Sequence, residues 1–157
     1  MSVYAVDKLM SEARRLATEY KKLTGKTRPL SAEIAINDAV RLLSLVPVTD
    51  PGLGYDAVQN HADRQERCVI KARVLFDPAK NAHRLGDVKL DKPWDTLLVV
   101  LMNASYETTE IYAVSREAVA NAVAERAEHK KANLTIAKIK FIGALAWARE
   151  PLDLPIA

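Results

Sequence analysis

Trp94-Asp95-Thr96-Leu97-Leu98-Val99-Val100-Leu101-Met102 is the stretch on which the reading of this chain turns. Its apolar run, Leu97 to Met102, is strand-sized and falls far short of the roughly 18–20 residues that a membrane span needs. A short, unbroken apolar run reads as a strand buried on both faces. Thr109 to Val114 follows across a polar turn as its neighbour. Ser115 then caps a helix running through about Glu128, where Ser115-Arg116-Glu117 lies one residue short of the ideal capping-box spacing.

Upstream, Arg67 to Phe76 alternates and reads as a longer strand, and Tyr55 to Val58 as a short one, with Asn60 to Glu66 a polar turn. Pro47, Pro51, Gly52 and Gly54 break the chain before them. Two amphipathic helices precede the break. In the first, Val6, Leu9, Met10, Ala13, Leu16, Ala17 and Tyr20 recur at helical spacing, and Gly25 ends it. The second starts at the N-cap candidate Ser31 and carries Ile34, Ala35, Ala39, Leu42 and Leu43. Residues 77–93 read as a loop, 134–148 as a segment that starts as a helix, and 151–157 as an extended tail. The pattern predicts an α+β fold over 1–150, a single domain with helices flanking a small mixed, largely antiparallel sheet.

Composition agrees with one globular domain: 157 residues, 49% hydrophobic and 27% charged. The single cysteine, Cys68, has no intrachain partner, and no cluster has zinc-ligand spacing. With no basic-then-apolar leader at Met1, the expectation is a cytoplasmic protein with no membrane association. The net charge of +3 is mild but unevenly spread. Residues 1–30 hold seven Lys/Arg against three acids, and residues 126–140 hold Arg126, Lys130, Lys131, Lys138 and Lys140 against Glu128. Each end therefore offers a candidate basic face for a polyanion. His61, His83 and His129 lie far apart, no glycine-rich phosphate loop is present, and no serine sits in a nucleophile elbow.

One constellation suits chemistry. Gly54-Tyr55-Asp56-Ala57-Val58 is followed, after a hairpin-sized turn, by Val69-Ile70-Lys71-Ala72-Arg73. An aspartate and a lysine on adjacent antiparallel strands can face one side of a sheet. A carboxylate there holds a divalent cation, and the lysine stabilises developing charge on a phosphodiester. Glu33 on the preceding helix is the candidate third carboxylate, and Arg73, Lys80 and Arg84 are candidate phosphate contacts.

This order of elements resembles the restriction-endonuclease-like, or PD-(D/E)XK, nuclease superfamily over roughly residues 31–125. The resemblance rests on a helix with an acid (Glu33), a strand bearing Gly-Tyr-Asp (Asp56), a strand ending in x-x-Lys (Lys71), then the buried strand, its neighbour and a helix. It implies a restriction-endonuclease-like core, DNA as partner and Mg or Mn as cofactor. The family pattern places Glu, Asp or Gln two residues before the lysine, whereas Val69 stands there in this sequence. Valine has no side-chain ligand atom, so only Asp56, Glu33 and the Ile70 carbonyl remain as ligands. Glu66 substitutes only if the strand bulges or the turn folds back. The whole chain also resembles a bacterial family of unknown function, which implies no role. Two other readings are a DNA-binding regulator using Asn37 and Arg41 on the second helix, and a homodimeric interaction module built on the apolar helix faces.

Overall fold

The computed structural model describes residues 3–25, 29–76, 84–86, 88–128 and 134–150. The chain divides into two compact units, residues 1–30 and 31–157. The first is built on α1 (Val3–Thr24). Thr18 and Thr24 donate their hydroxyls back to the carbonyls of Arg14 and Tyr20, so neither interrupts the helix. Gly25, at φ 74°, takes the left-handed position that ends it and donates its N–H to the Lys21 carbonyl.

The second unit contains α2 (Leu30–Leu43), β1 (Val46–Pro47), a single 3-10 turn (Pro51–Leu53), β2 (Ala57–Asn60), β3 (Gln65–Val74), β4 (Thr96–Met102), β5 (Thr108–Ser115), α3 (Arg116–Glu128), α4 (Ile136–Ile142) and β6 (Ala144–Ala148). The six strands form one sheet in chain order. Every neighbouring pair is antiparallel except β3 and β4, which run parallel from Cys68↔Thr96 to Val74↔Met102. A parallel pair needs a crossover, and residues 75–95 supply it. The expected α+β class and the mixed, mostly antiparallel sheet are both present.

The apolar run in β4 follows from its central position. Leu98, Val100 and Met102 face α2 with Ala35, Ile36 and Ala39. Leu97, Val99 and Leu101 face the other way, against Val119 and Ala122 of α3, Ile136 and Ile139 of α4, and Leu85 and Trp94 of the crossover. A strand covered on both sides has no solvent face to make polar. Thr108, only 1% exposed, joins the α2 layer to β5 by donating its hydroxyl to Asp38 Oδ2 at 2.7 Å.

Two strands depart from the expected pattern. β1 falls where Pro47 reads as a breaker, but a two-residue edge strand accommodates proline because its outer side needs no N–H. The segment 134–148 is a helix only as far as Ile142. Thr135 caps it by accepting the Lys138 N–H, and the chain then turns at Gly143 into edge strand β6. At Gly143 an added Cβ would lie 2.8 Å from Val114 Cγ2 and 2.9 Å from the carbonyl oxygens of Ala113 and Ile139. Backbone on two sides cannot yield as a flexible side chain does. Gly143→Ala is therefore expected to cost about 1–3 kcal/mol by overpacking, read as a lower urea midpoint with an unchanged m-value.

Among the described residues, no helix is long and apolar enough to cross a membrane. The segment 151–157, expected to be an extended tail, lies outside the described residues.

Candidate functional site

β2 and β3 form a hairpin in register from Ala57↔Cys68 to Asn60↔Gln65, closed by the His61 N–H on the Arg64 carbonyl. Asp56 sits one residue before β2 and is therefore level with Val69, one residue beyond Cys68. Its N–H donates to the Cys68 carbonyl at 2.8 Å, and its Oδ2 accepts the Ile70 N–H at 2.8 Å. The carboxylate thus extends the ladder by one bond past the end of the strand, a side chain doing what a backbone carbonyl does elsewhere.

Side chains alternate along β3. Cys68 and Ile70 face α2, while Val69 packs against the opposite core, and Lys71, half-buried, shares that side. By that register Lys71 lies two residues further along β3 than the level of Asp56, on the same face. Glu33 lies on α2. It is 4% exposed on the stripe of α2 that carries Ile36 one turn later, in the layer covering the Cys68/Ile70 face. Glu66 also points away from Lys71, because five residues separate them and parity puts them on opposite faces. Its Oε1 lies 3.0 Å from His61 Nε2, and its Oε2 accepts the Thr96 hydroxyl at 2.8 Å. The strand carries no bulge that would return Glu66 to the Lys71 side.

Among the described residues, no three His, Cys, Asp or Glu side chains gather in a group that could hold a metal ion. Val69 offers no side-chain oxygen, and Asp56 Oδ2 accepts the Ile70 N–H.

Of the candidate phosphate contacts, Arg73 follows Lys71 on the same side of β3 and donates an Nη2–H to the Arg84 carbonyl. Arg84 itself is exposed and bridges to Thr135. Lys80 lies outside the described residues. On the second helix, Asn37 is exposed, and Arg41 lies 3.5 Å from Asp38 within its own helix. The basic cluster at 126–140 is partly neutralised. Lys138 lies 3.6 Å from Glu125 and Lys140 3.4 Å from Glu110, while Lys130 and Lys131 are outside the described residues. Those ion pairs leave this segment less available to a polyanion than its composition suggests.

Two polar clamps near the site were not legible in motif spacing. At the start of the parallel pair, Arg67 donates its N–H and Nε–H to Asp95 Oδ2 at 2.8 and 3.0 Å, and Nη2–H to Oδ1 at 3.1 Å. The Asp95 N–H returns to the Arg67 carbonyl. This bidentate pair locks the register of β3 against β4. The Arg67 hydrogen bond holds the Asp95 carboxyl below the usual carboxylate range. A lowered folded pKa means stability present above the unfolded carboxylate pKa of about 3.9 and lost as pH falls through the folded value. The pair is more than one-third exposed, so its worth is about 1 kcal/mol or less. Asp95→Asn is expected to erase that part of the acid limb, leaving a shallower fall in stability below pH ~4.

The second clamp is Arg116, the first residue of α3. Its guanidinium donates to the carbonyls of Leu90, Lys92 and Trp94, the last at 2.9 Å, and stacks 4.9 Å over the Trp94 ring. Trp94 in turn donates its indole N–H to the Lys89 carbonyl at 2.7 Å.

Cys68 is 1% exposed, and burial pushes its thiol up to about 12. A neutral, enclosed thiol is a poor nucleophile. It is expected to react with a thiol reagent at pH 8 only as fast as the domain unfolds. Rapid labelling of native protein would contradict the packing described for the β2–β3 hairpin.

No protein-family model matches the chain, and no curated protein matches it.

Proposed function

We propose that residues 31–150 form a nuclease-like domain that binds DNA at the end of the β2–β3 hairpin near Asp56 and Lys71. The observation that supports this reading most is the placement of Asp56 and Lys71. Asp56 immediately precedes β2 and Lys71 lies on its antiparallel partner β3, two residues beyond the level of Asp56 and on the same side, in the element order that the resemblance implies. Lys71 supplies a point charge for a phosphate, and a lysine needs no partner geometry for that beyond access. Asp56 keeps the end of β2 joined to β3 and so positions that lysine. Residence in the cytoplasm, where DNA is accessible and a lone thiol stays reduced, belongs to the same proposal.

Hydrolysis is the finer question. Val69, with no side-chain ligand atom two residues before Lys71, favours binding over cleavage. The direct test is incubation of plasmid, linear duplex and single-stranded DNA with magnesium or manganese, for wild type, Asp56→Ala and Lys71→Ala. The proposal expects binding without strand scission. Scission lost in both variants would instead establish a working nuclease built around Asp56. A blank in both cleavage and binding would leave the domain as an interaction module.

A further inference from the structure

A lysine that no motif spacing singles out stands beside the Asp56 end of the β2–β3 hairpin. Gly54, two residues before Asp56, adopts φ 85°, in the left-handed region that glycine enters with least strain. The room a side chain would fill there is already taken. A Cβ added at Gly54 would lie 2.8 Å from Lys92 Cβ and 3.0 Å from Lys92 Cγ and Cδ. Three carbons of the lysine stem therefore lie across the glycine. The ammonium, two bonds beyond Cδ, stands beside the chain that leads into Asp56.

The backbone of Lys92 is fixed as well. Its carbonyl accepts the Trp94 N–H at 3.0 Å and the Arg116 guanidinium. Leu90 and Trp94, two residues to either side, pack in the same core cluster as Tyr55 and Val69, on the side of the sheet that Lys71 shares. Ile70, whose N–H donates to Asp56 Oδ2 at 2.8 Å, immediately precedes Lys71. Lys92 and Lys71 thus come to the surroundings of Asp56 from two elements, the crossover and β3. Both are half-buried. Among the described residues, neither ammonium is engaged by a hydrogen bond or an ion pair. A packed stem with an unpaired head keeps its charge for water or for an anion.

We propose that Lys92 is a second phosphate-binding residue of the site at Asp56 and Lys71, and that the two lysines grip the sugar–phosphate backbone of the bound nucleic acid. The inference rests on the reading of residues 31–150 as a DNA-binding domain and names the part of the DNA that is held. An ammonium is a point charge without the fork that reads a base edge, so this grip is indifferent to sequence.

Fluorescence anisotropy of two labelled duplexes of unrelated sequence, titrated with the full chain over a range of salt concentrations, tests it. Lys92→Gln is expected to weaken binding of both duplexes at least about fivefold near 0.1 M salt. The slope of log K against log salt falls with it by about 0.9, the share of one phosphate contact. Glutamine retains much of the stem that lies across Gly54, so the packing there is kept. Lys92→Arg and Lys138→Gln keep the wild-type slope, the first because the charge remains and the second because Lys138 lies beside Glu125. Wild type that binds both duplexes while Lys92→Gln matches it in affinity and slope overturns this inference alone. So does a weakening with an unchanged slope, which would make Lys92 a support of the fold, or one confined to a single duplex, which would make it a base contact. No binding by wild type overturns the DNA-binding reading itself and this inference with it.

Discussion

Replacing Arg116 with methionine lowers the unfolding free energy by about 2–4 kcal/mol. The estimate follows from the charge-assisted bonds lost, each worth about 1.5–3 kcal/mol, less what water recovers at a half-buried position. Arg116 donates to three carbonyls in the last turn of the crossover, at Leu90, Lys92 and Trp94. No other described side chain hydrogen-bonds those carbonyls. Methionine keeps the aliphatic stem and much of the contact with the Trp94 ring, so the loss reports the donors rather than a cavity. Arg116→Lys is expected to recover little, because one ammonium cannot reproduce the planar fork that meets several acceptors at once. Urea unfolding followed by tryptophan fluorescence reads both variants. A loss under 1 kcal/mol for the methionine variant would mean that water satisfies the three carbonyls unaided.

Leu97→Ala is the second large effect, at about 3–5 kcal/mol. Leu97 is fully buried in β4, on the side that faces α3, α4 and the crossover. Close packing from three elements leaves little room to collapse into the vacated volume, which is what drives such losses to the upper end of their range. Leu145→Ala on edge strand β6 is the matched control. Its side chain is 53% exposed, and the expected cost is under about 1 kcal/mol by the area it hides. Similar losses at the two positions would contradict the central placement of β4.

The contrast between these residues also shows which parts of the molecule can be read from the chain. Leu97 to Met102 announces a doubly covered strand because burial on both faces removes any need for polar alternation. Asp56 and Lys71 are recognisable as neighbours because a hairpin fixes register locally. Glu66 is separable from Lys71 by parity alone, since five residues along a regular strand reverse the face. Glu33 is different. Its distance from Lys71 depends on which side of the sheet α2 covers, a tertiary choice that helix periodicity does not encode. Arg116 reads as a polar residue in a capping segment. Ser115 does accept the Ala118 N–H there, but the arginine's acceptors lie 22–26 residues upstream. The edge strands β1 and β6 escape notice for a simpler reason. One is two residues long and contains proline, and the other follows a helix with only Gly143 between them.

The expected basic face at 126–140 illustrates a related limit. Counting charges locates a cluster but not its partners, and Lys138 and Lys140 lie beside Glu125 and Glu110 on neighbouring elements.

The most direct test of the DNA-binding claim is fluorescence anisotropy of a labelled duplex titrated with wild type, Lys71→Glu and Lys138→Glu at low and moderate salt. The account predicts salt-sensitive binding by wild type and Lys138→Glu, weakened at least about tenfold by Lys71→Glu, since a reversed charge repels the phosphate it should contact. Equal binding by all three proteins, or no binding by any, would contradict it.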